Sequence, residues 1–245
     1  MSTAHQMTDL RDPLAAFDWR TLGGRYERLC MRFDQNSPYL ESIRPRPTSD
    51  RELYAVLVSQ FSAEIRTSAG IGLETYLAML YWKLYSQRAA IMRTCQFLMK
   101  DAKARQAAAE GLKKLSNYLQ RFAPVQLSDL VALLRDHAKF KFRGMQDPTA
   151  LPVRTTFLHF TSPNAIPIFD KQVLLAVGVS EKYANQKLEY LRLYFPHVFT
   201  LTQRYAQSFS PTDAEGPLRL VDMALWVTRN SLDGRNTGCQ ELSAS

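Results

Sequence analysis

The amino-acid sequence predicts an all-α protein. Apolar residues recur at three- and four-residue spacings along most of the 245 residues, as they do on one face of a helix. No segment shows a convincing apolar–polar alternation of the kind that marks a half-buried strand, and no Asn-Gly hairpin turn is found. With 46% hydrophobic and 22% charged residues, the composition is that of a folded chain, for which we expect roughly nine helices.

The first half of the chain contains three predicted helical regions. A first helix covers about residues 13–33, is weakened by the glycine pair at 23–24, and leads into the Pro-rich linker SIRPRPTS. The sequence SDRE at 49–52 is a capping box, which predicts the start of a second helix. Gly70 and Gly72 then interrupt the chain before a long apolar helix over 73–99.

The second half predicts shorter helices separated by turns and loops. They cover about 101–121, 128–140 with Ser128 as its cap, the apolar stretch TTFLHF at 155–160, a helix that begins at Asp170, a helix from Ser180 to Pro196, and a last helix over 218–228. The tail from Asn230 is predicted to be disordered.

The charge distribution favours a polyanionic partner. The net charge is +8, and nucleic acid is the first candidate for such a chain. Residues 100–143 carry ten Lys or Arg against four acidic residues, so this stretch holds most of the excess. It either contacts a nucleic-acid backbone or is a solvated helix face.

Several function classes lack their sequence signals. The cysteines at 30, 95 and 239 have no CxxC spacing, and the four histidines have no metal-ligand spacing. Walker, GxGxxG, HExxH and GxSxG motifs are absent. We therefore expect no metal and no cofactor. No apolar run is long enough to span a bilayer and no signal peptide is evident, so we expect a soluble, cytoplasmic protein that does not bind membranes and has no obligate protein partner.

Asp170 is the candidate catalytic residue. It follows the Pro-bounded loop TSPNAIPIF and stands at a predicted helix start, where backbone N–H groups and the helix dipole favour a carboxylate. A plain N-cap is the alternative interpretation of this position. The same surroundings would keep the carboxylate ionised, which suits a reaction that develops positive charge, such as cleavage of an N-glycosidic bond.

Two segments resemble the helix-hairpin-helix (HhH-GPD) superfamily of DNA glycosylases. Asp170-Lys171-Gln172-Val173 is similar to the D-T-H-V-like helix start that carries the catalytic Asp in that family, and Leu151-Pro152 stands where its L-P-G-x-G hairpin would begin. Upstream, the segment ELYAVLVSQ at 52–60 is similar to the family's early E-L-x-x-A-V-L-L-S-x-Q helix. The resemblance covers about 130 residues, from 49 to 179, with the two segments in the family's order and spacing.

The resemblance implies a two-lobed helical bundle with a degenerate hairpin. Its parts would be an N-terminal helix and linker (1–48), a helical lobe with the wedge and basic helices (49–150), a hairpin and catalytic region with the C-terminal helices (151–230), and a disordered tail (231–245). The hairpin glycines of the family are missing from LPVRTT. Four cysteines for an iron–sulfur cluster are also missing.

The resemblance also implies a monofunctional DNA glycosylase that acts on double-stranded DNA. Asp170 would stabilise the oxocarbenium, and Gln60 would fill the gap left by the flipped base. Lyase activity is not expected, because residues 150–156 contain no Lys. The residues expected near phosphates are Lys139, Lys141, Arg143, Arg154, Thr155, Thr156 and Lys171.

Two other functions remain open from the sequence. A helical DNA-binding or regulatory protein of the same fold could lack chemistry altogether, and an adaptor could use its basic helices on an acidic protein. Within the chain, His159 is expected to be a hydrogen-bonded core residue. The aromatic side chains at 61, 76, 81, 82 and 85 belong either to the core or to a pocket for a flipped base. The excised base is expected to be modified, with a role in repair or in defence against phage.

Overall fold

The computed structural model describes most of the chain. The described ranges are 10–121, 132–136, 139–145, 151–179, 188–209 and 215–232, with the backbone alone at 188–192 and 230–232. Within these ranges the secondary structure is helical and contains no strand, which confirms the all-α class. None of the described helices combines the length and the apolar character needed to cross a membrane.

Ten α-helices with defined bounds make up the described part. They are α1 (Leu22–Leu29), α2 (Asp50–Glu64), α3 (Leu73–Leu84), α4 (Arg88–Ile91), α5 (Phe97–Lys100), α6 (Ala102–Leu119), α7 (Leu151–Thr161), α8 (Lys171–Ala176), α9 (Leu188–Arg204) and α10 (Pro217–Leu232). Short 3₁₀ segments lie at Trp19–Thr21, Pro38–Leu40 and Ala206–Ser208, and Met92–Gln96 forms a π-helical turn. Residues 132–136 are also helical.

The start of the second helix follows the predicted capping pattern. The Ser49 side chain accepts a hydrogen bond from the N–H of Glu52 at 3.2 Å. The Glu52 carboxylate returns to the N–H and hydroxyl of Thr48, both at 2.7 Å. The pattern thus stabilises the entry to α2, with the returning bond one residue earlier than in a standard capping box.

Two predicted helices of the first half are wrong in extent. The first helix is only the eight residues of α1, and the glycine pair 23–24 lies inside it. Asp18, whose side chain accepts from the N–H of Arg20, caps the start of the 3₁₀ turn Trp19–Thr21 that precedes α1. The long helix over 73–99 divides at 85–87 and again at the π turn. Apolar periodicity continued across both interruptions and therefore concealed them.

Four boundaries in the second half are also corrected. Residues 139–140 are not helical, so the helix predicted over 128–140 does not reach its end. Leu151-Pro152 lies in the first turn of α7 instead of a hairpin turn, a position that suits proline because the N–H it lacks has no helical acceptor there. Pro196 lies inside α9, where the buried neighbours Tyr194, Phe195 and Val198 hold the apolar face in place. The last helix continues to Leu232. The predicted caps Ser128 and Ser180 and residues 233–245 lie outside the described residues.

The buried apolar side chains form one connected core that extends from Leu14 to Val227. α2, α3 and α7 contact one another in it, and the rings of Phe61 and Phe157 meet edge to face. The short helix α8 packs along α10. Because Asp170 directly precedes α8, this packing places its side chain beside the C-terminal helix.

Candidate active site

A cleft of about 440 Å³ lies where the ends of several helices meet. Its charged lining comes from the segment after α1, the start of α2, the end of α3, the residue before α8, and α10. The charged residues that line it are Arg32, Asp50, Lys83, Asp170, Arg219 and Asp222. Aromatic rings of Tyr26, Trp82, Tyr85 and Trp226 form much of the remaining wall. Ligand pockets of this size commonly combine an apolar wall with a few polar groups.

Asp170 caps α8 and forms an ion pair across the cleft. One carboxylate oxygen accepts from the N–H of Gln172 at 2.8 Å, and the other lies 2.8 Å from the Lys83 ammonium. The Asp170 side chain is 26% exposed and that of Lys83 10%. Burial raises the pKa of Asp170, but the Lys83 charge and the two hydrogen bonds outweigh it and hold that pKa below its ordinary value. The carboxylate is therefore ionised at neutral pH, as the sequence predicted.

Asp222 is a second carboxyl group of the cleft, on α10. Its Oδ2 accepts a hydrogen bond from the Arg219 guanidinium one helical turn earlier. Its Oδ1 is buried and has no hydrogen-bond partner among the described residues. Burial raises the pKa of Asp222 above its ordinary value, although the charges of Arg219 and Lys83 oppose this shift. The two carboxyl groups thus have pKa values displaced in opposite directions.

Arg219 joins α10 to the wall of the cleft. It donates to the hydroxyl of Tyr26 at 2.6 Å, and that hydroxyl donates to the carboxylate of Asp50 at 2.7 Å. The guanidinium carbon lies 4.9 Å from the ring centre of Trp82 and 5.0 Å from that of Tyr54. Cation–π contacts in such a desolvated setting are worth about 2 kcal/mol. This network links α1, α2, α3 and α10 beside the cleft.

His159 is a core residue, as the sequence predicted. It is fully buried, and its Nδ1 lies 2.7 Å from the carbonyl oxygen of Ile166. Nδ1 therefore carries the proton, and Nε2 accepts from the hydroxyl of Tyr54 at 2.8 Å. Burial lowers the pKa of His159 to about 3, so the ring is neutral at physiological pH.

Three residues predicted to contact phosphates point into the protein instead. Arg154 is buried and donates to the carbonyl oxygen of Met145. The hydroxyl of Thr155 accepts from the N–H of Phe169 at 3.0 Å, and that of Thr156 donates to the Pro152 carbonyl at 2.7 Å. None of these polar groups can reach a phosphate in this structure, which corrects the prediction. The reason is that α7 is buried on nearly every side, whereas the resemblance implied a surface hairpin.

Gln60 and most of the predicted pocket aromatics lie away from the cleft. Gln60 is ten residues along α2 from Asp50, roughly 15 Å at 1.5 Å per residue, and is not part of the lining. Its side-chain oxygen is buried, so it does not extend into a DNA gap here. Phe61 and Tyr76 are fully buried in the core. Trp82 and Tyr85 do line the cleft.

The predicted basic residues differ in their availability. Lys141 and Lys171 are exposed. Lys139 is exposed and pairs with Asp136 at 2.6 Å, a surface ion pair of the kind worth at most about 1 kcal/mol. The Arg143 guanidinium stacks on the ring of Phe97 at 4.0 Å, which attaches this stretch to α5.

Sequence reasoning missed Lys83, Arg219 and Asp222. Each had a usable signal, because each is a charged residue inside an otherwise apolar helical run: LETYLAMLYWKL for Lys83 and PLRLVDMALWV for the other two. Buried charges in such runs are rare unless they are paired or functional.

Within the described ranges, no group of three or more His, Cys, Asp or Glu is placed to hold a metal ion. The thiols of Cys30 and Cys95 are buried and free, and Cys239 lies outside the described residues. Comparison with known proteins finds no matching family model, curated protein or solved structure.

Proposed function

We propose that the protein is a monofunctional DNA glycosylase that excises a base flipped into the cleft. The observation that supports this most directly is an ionised Asp170 at the wall of an aromatic-lined cleft of about 440 Å³. A fixed negative charge stabilises the positive charge that develops on the sugar as the N-glycosidic bond breaks. Trp82 and Tyr85 offer ring faces against which a flipped base can stack.

The mouth of the cleft suits a polyanion. Arg32 lines it and donates to the carbonyl oxygen of Ser86 at 3.1 Å. Arg88, two residues after Ser86, and Lys171, directly after Asp170, are both exposed. These cations and the basic stretch around Lys141 would replace the buried Arg154, Thr155 and Thr156 as phosphate contacts, and the proposed partner remains double-stranded DNA.

Met31 is the candidate for the residue that fills the gap in the duplex. It is 75% exposed and precedes Arg32 at the mouth of the cleft. Apolar side chains, methionine among them, are used as wedges between base steps. If Met31 has this role, Met31→Ala slows excision from duplex DNA and leaves excision from single-stranded DNA unchanged. Equal slowing on both substrates contradicts it.

Lys83 allows the proposed absence of lyase activity to be tested at a named residue. The structure brings Lys83 into the cleft although residues 150–156 contain no Lys. The Lys83 nitrogen is held by the Asp170 carboxylate at 2.8 Å and is not free to attack C1′, so we expect an intact abasic strand as product. Trapping of a protein–DNA adduct with borohydride, lost in Lys83→Gln, would overturn this part of the proposal.

A DNA-binding protein of the same fold without chemistry is the second candidate. One observation favours it: both oxygens of Asp170 already have partners inside the protein, so the carboxylate also serves as a structural N-cap.

The separating experiment uses duplexes of one sequence that each carry a single uracil, 8-oxoguanine, alkylated base or 5-hydroxymethyl pyrimidine. After incubation they are treated with alkali. Strand breaks at the placed base support the glycosylase, and retention on DNA without breaks supports the binding protein. The cleft is expected to act best on a modified base, in repair or in defence against phage, because a roomy pocket makes few contacts with a small one.

A further inference from the structure

The unpaired oxygen of Asp222 is unusual for a buried carboxyl group. Buried polar atoms nearly always have a hydrogen-bond partner, and leaving one without costs about 1–3 kcal/mol. Asp222 is only 6% exposed, and its Oδ1 is unsatisfied among the described residues. Because the residue lines the cleft, a molecule bound in the cleft can supply the missing partner.

The surroundings of Asp222 determine which form of the carboxyl is present. Arg219 and Lys83 favour the charged form, while burial and the neighbouring Asp170 disfavour it, and the balance raises its pKa. Five charged or titratable side chains interact electrostatically with Asp222, each from a different element. They are Tyr54 on α2, Lys83 on α3, Asp170 before α8, Tyr194 on α9 and Arg219 on α10.

We propose that Asp222 is the second catalytic residue of the cleft and donates a proton from Oδ1 to the departing base. The inference rests on the proposed glycosylase function and adds a role that Asp170 cannot fill. Two carboxyl groups in different environments commonly divide the work of glycoside cleavage, one as acid and one as an ionised stabiliser. Asp170, paired with Lys83, is the stabiliser.

The proposed step is balanced as a hydrolysis. The bond between C1′ and the base nitrogen breaks, its electron pair stays on the base, and the base takes the proton from Asp222. A water oxygen then bonds to C1′, and the proton it loses passes to Asp170 and on to solvent. Asp222 is reprotonated from solvent before the next turnover. No oxidant, reductant or metal is required.

The test is the pH dependence of single-turnover excision on whichever duplex of the panel above the wild-type protein cleaves. A group that acts in its protonated form gives a rate that falls as the pH rises through its pKa. In Asp222→Asn we expect this fall to disappear and the rate below it to drop by about 10²-fold, within the usual range for general acids. Retention on DNA should be unchanged. Asp222→Glu should restore part of the excision rate, and that rate should again fall with rising pH, but at a different pH from the wild type.

Matched variants separate the outcomes. Asp101→Asn makes the same chemical change at the N-cap of α6, outside the lining, and should leave the profile unchanged. The proton-donor role is overturned, while the glycosylase stands, by either of two results. One is an excision rate of Asp222→Asn that still falls as the pH rises. The other is an Asp222→Glu rate that has the wild-type value and falls at the wild-type pH. If the wild-type protein cleaves no duplex of the panel, both proposals are overturned. Thermal unfolding of each variant identifies any loss of rate that comes from loss of the fold.

Discussion

The cleft and the helix α7 both bury polar side chains, but they satisfy them differently. On α7, Arg154, Thr155, Thr156 and His159 all bond to groups within the chain. In the cleft, oxygens of Asp222 and Gln172 are buried without a partner among the described residues. An unsatisfied buried group costs free energy, and Gln60, outside the cleft, also has such an oxygen; at the wall of an open cavity, however, a bound molecule can supply the missing partner. Burial of a polar residue alone therefore does not mark a site, and it is the completeness of the hydrogen bonding that distinguishes the cleft from α7.

The largest expected effect comes from Asp170→Asn. Asn caps helices about as well as Asp, so α8 should persist, while loss of the charge should slow base release by roughly 10²-fold or more. Alkali-treated duplexes measure the rate, and Asp101→Asn is the matched N-cap control. A wild-type excision rate in Asp170→Asn would show that this carboxylate is only a helix cap. The polar groups of the cleft would then serve the fold alone, as those of α7 do.

Arg154→Met should affect stability and leave DNA binding intact. Arg154 is buried and bonds to the Met145 carbonyl, so its loss leaves that acceptor unsatisfied and should cost about 3 kcal/mol. Chemical denaturation and DNA affinity are measured on the same variant. The exposed Lys141→Gln is the counterpart, with weaker DNA binding and nearly unchanged stability. The opposite pattern in the two variants would reverse the assignment of inner and outer residues.

His159 should make the protein less stable in acid. Its pKa falls from 6.5 to about 3 on folding, so the unfolded state binds the proton more tightly. The contribution of His159 to the free energy of unfolding is fully present above about pH 6.5. It decreases as the pH falls, by about 2 kcal/mol at pH 5. Urea unfolding at the two pH values measures the difference. His159→Gln should abolish this dependence, and His197→Gln should retain it. An unchanged dependence in His159→Gln would assign it to other groups.

The smallest effect is expected from the exposed cations of the basic stretch. Lys139→Gln together with Lys141→Gln should weaken binding to all DNA sequences alike. The slope of log affinity against log salt should become shallower by up to about 0.9 per lost phosphate contact. Arg20→Gln, an exposed cation outside the stretch, serves as the control. If the slope is the same in all three proteins, these lysines form a solvated face.

Local patterns predicted local features well. The capping box at Ser49, the N-cap role of Asp170 and the buried, bonded state of His159 depend on short-range chemistry, and the structure confirms all three. The two interruptions of the helix over 73–99 and the helical Pro196 were missed, because apolar periodicity reports which face is buried and does not report where a backbone bends.

The sequence by itself determined the all-α class, the candidate carboxylate and its ionised state. Only the tertiary structure decided what that carboxylate faces. Lys83 is 87 residues from Asp170 in the chain, and Asp222 reaches the same cleft because α8 packs along α10. The burial of Arg154 and the distance of Gln60 from the cleft were likewise decided by packing. Helical spacing specifies neighbours within one helix, whereas the set of charges around a site depends on contacts between helices that no local pattern encodes.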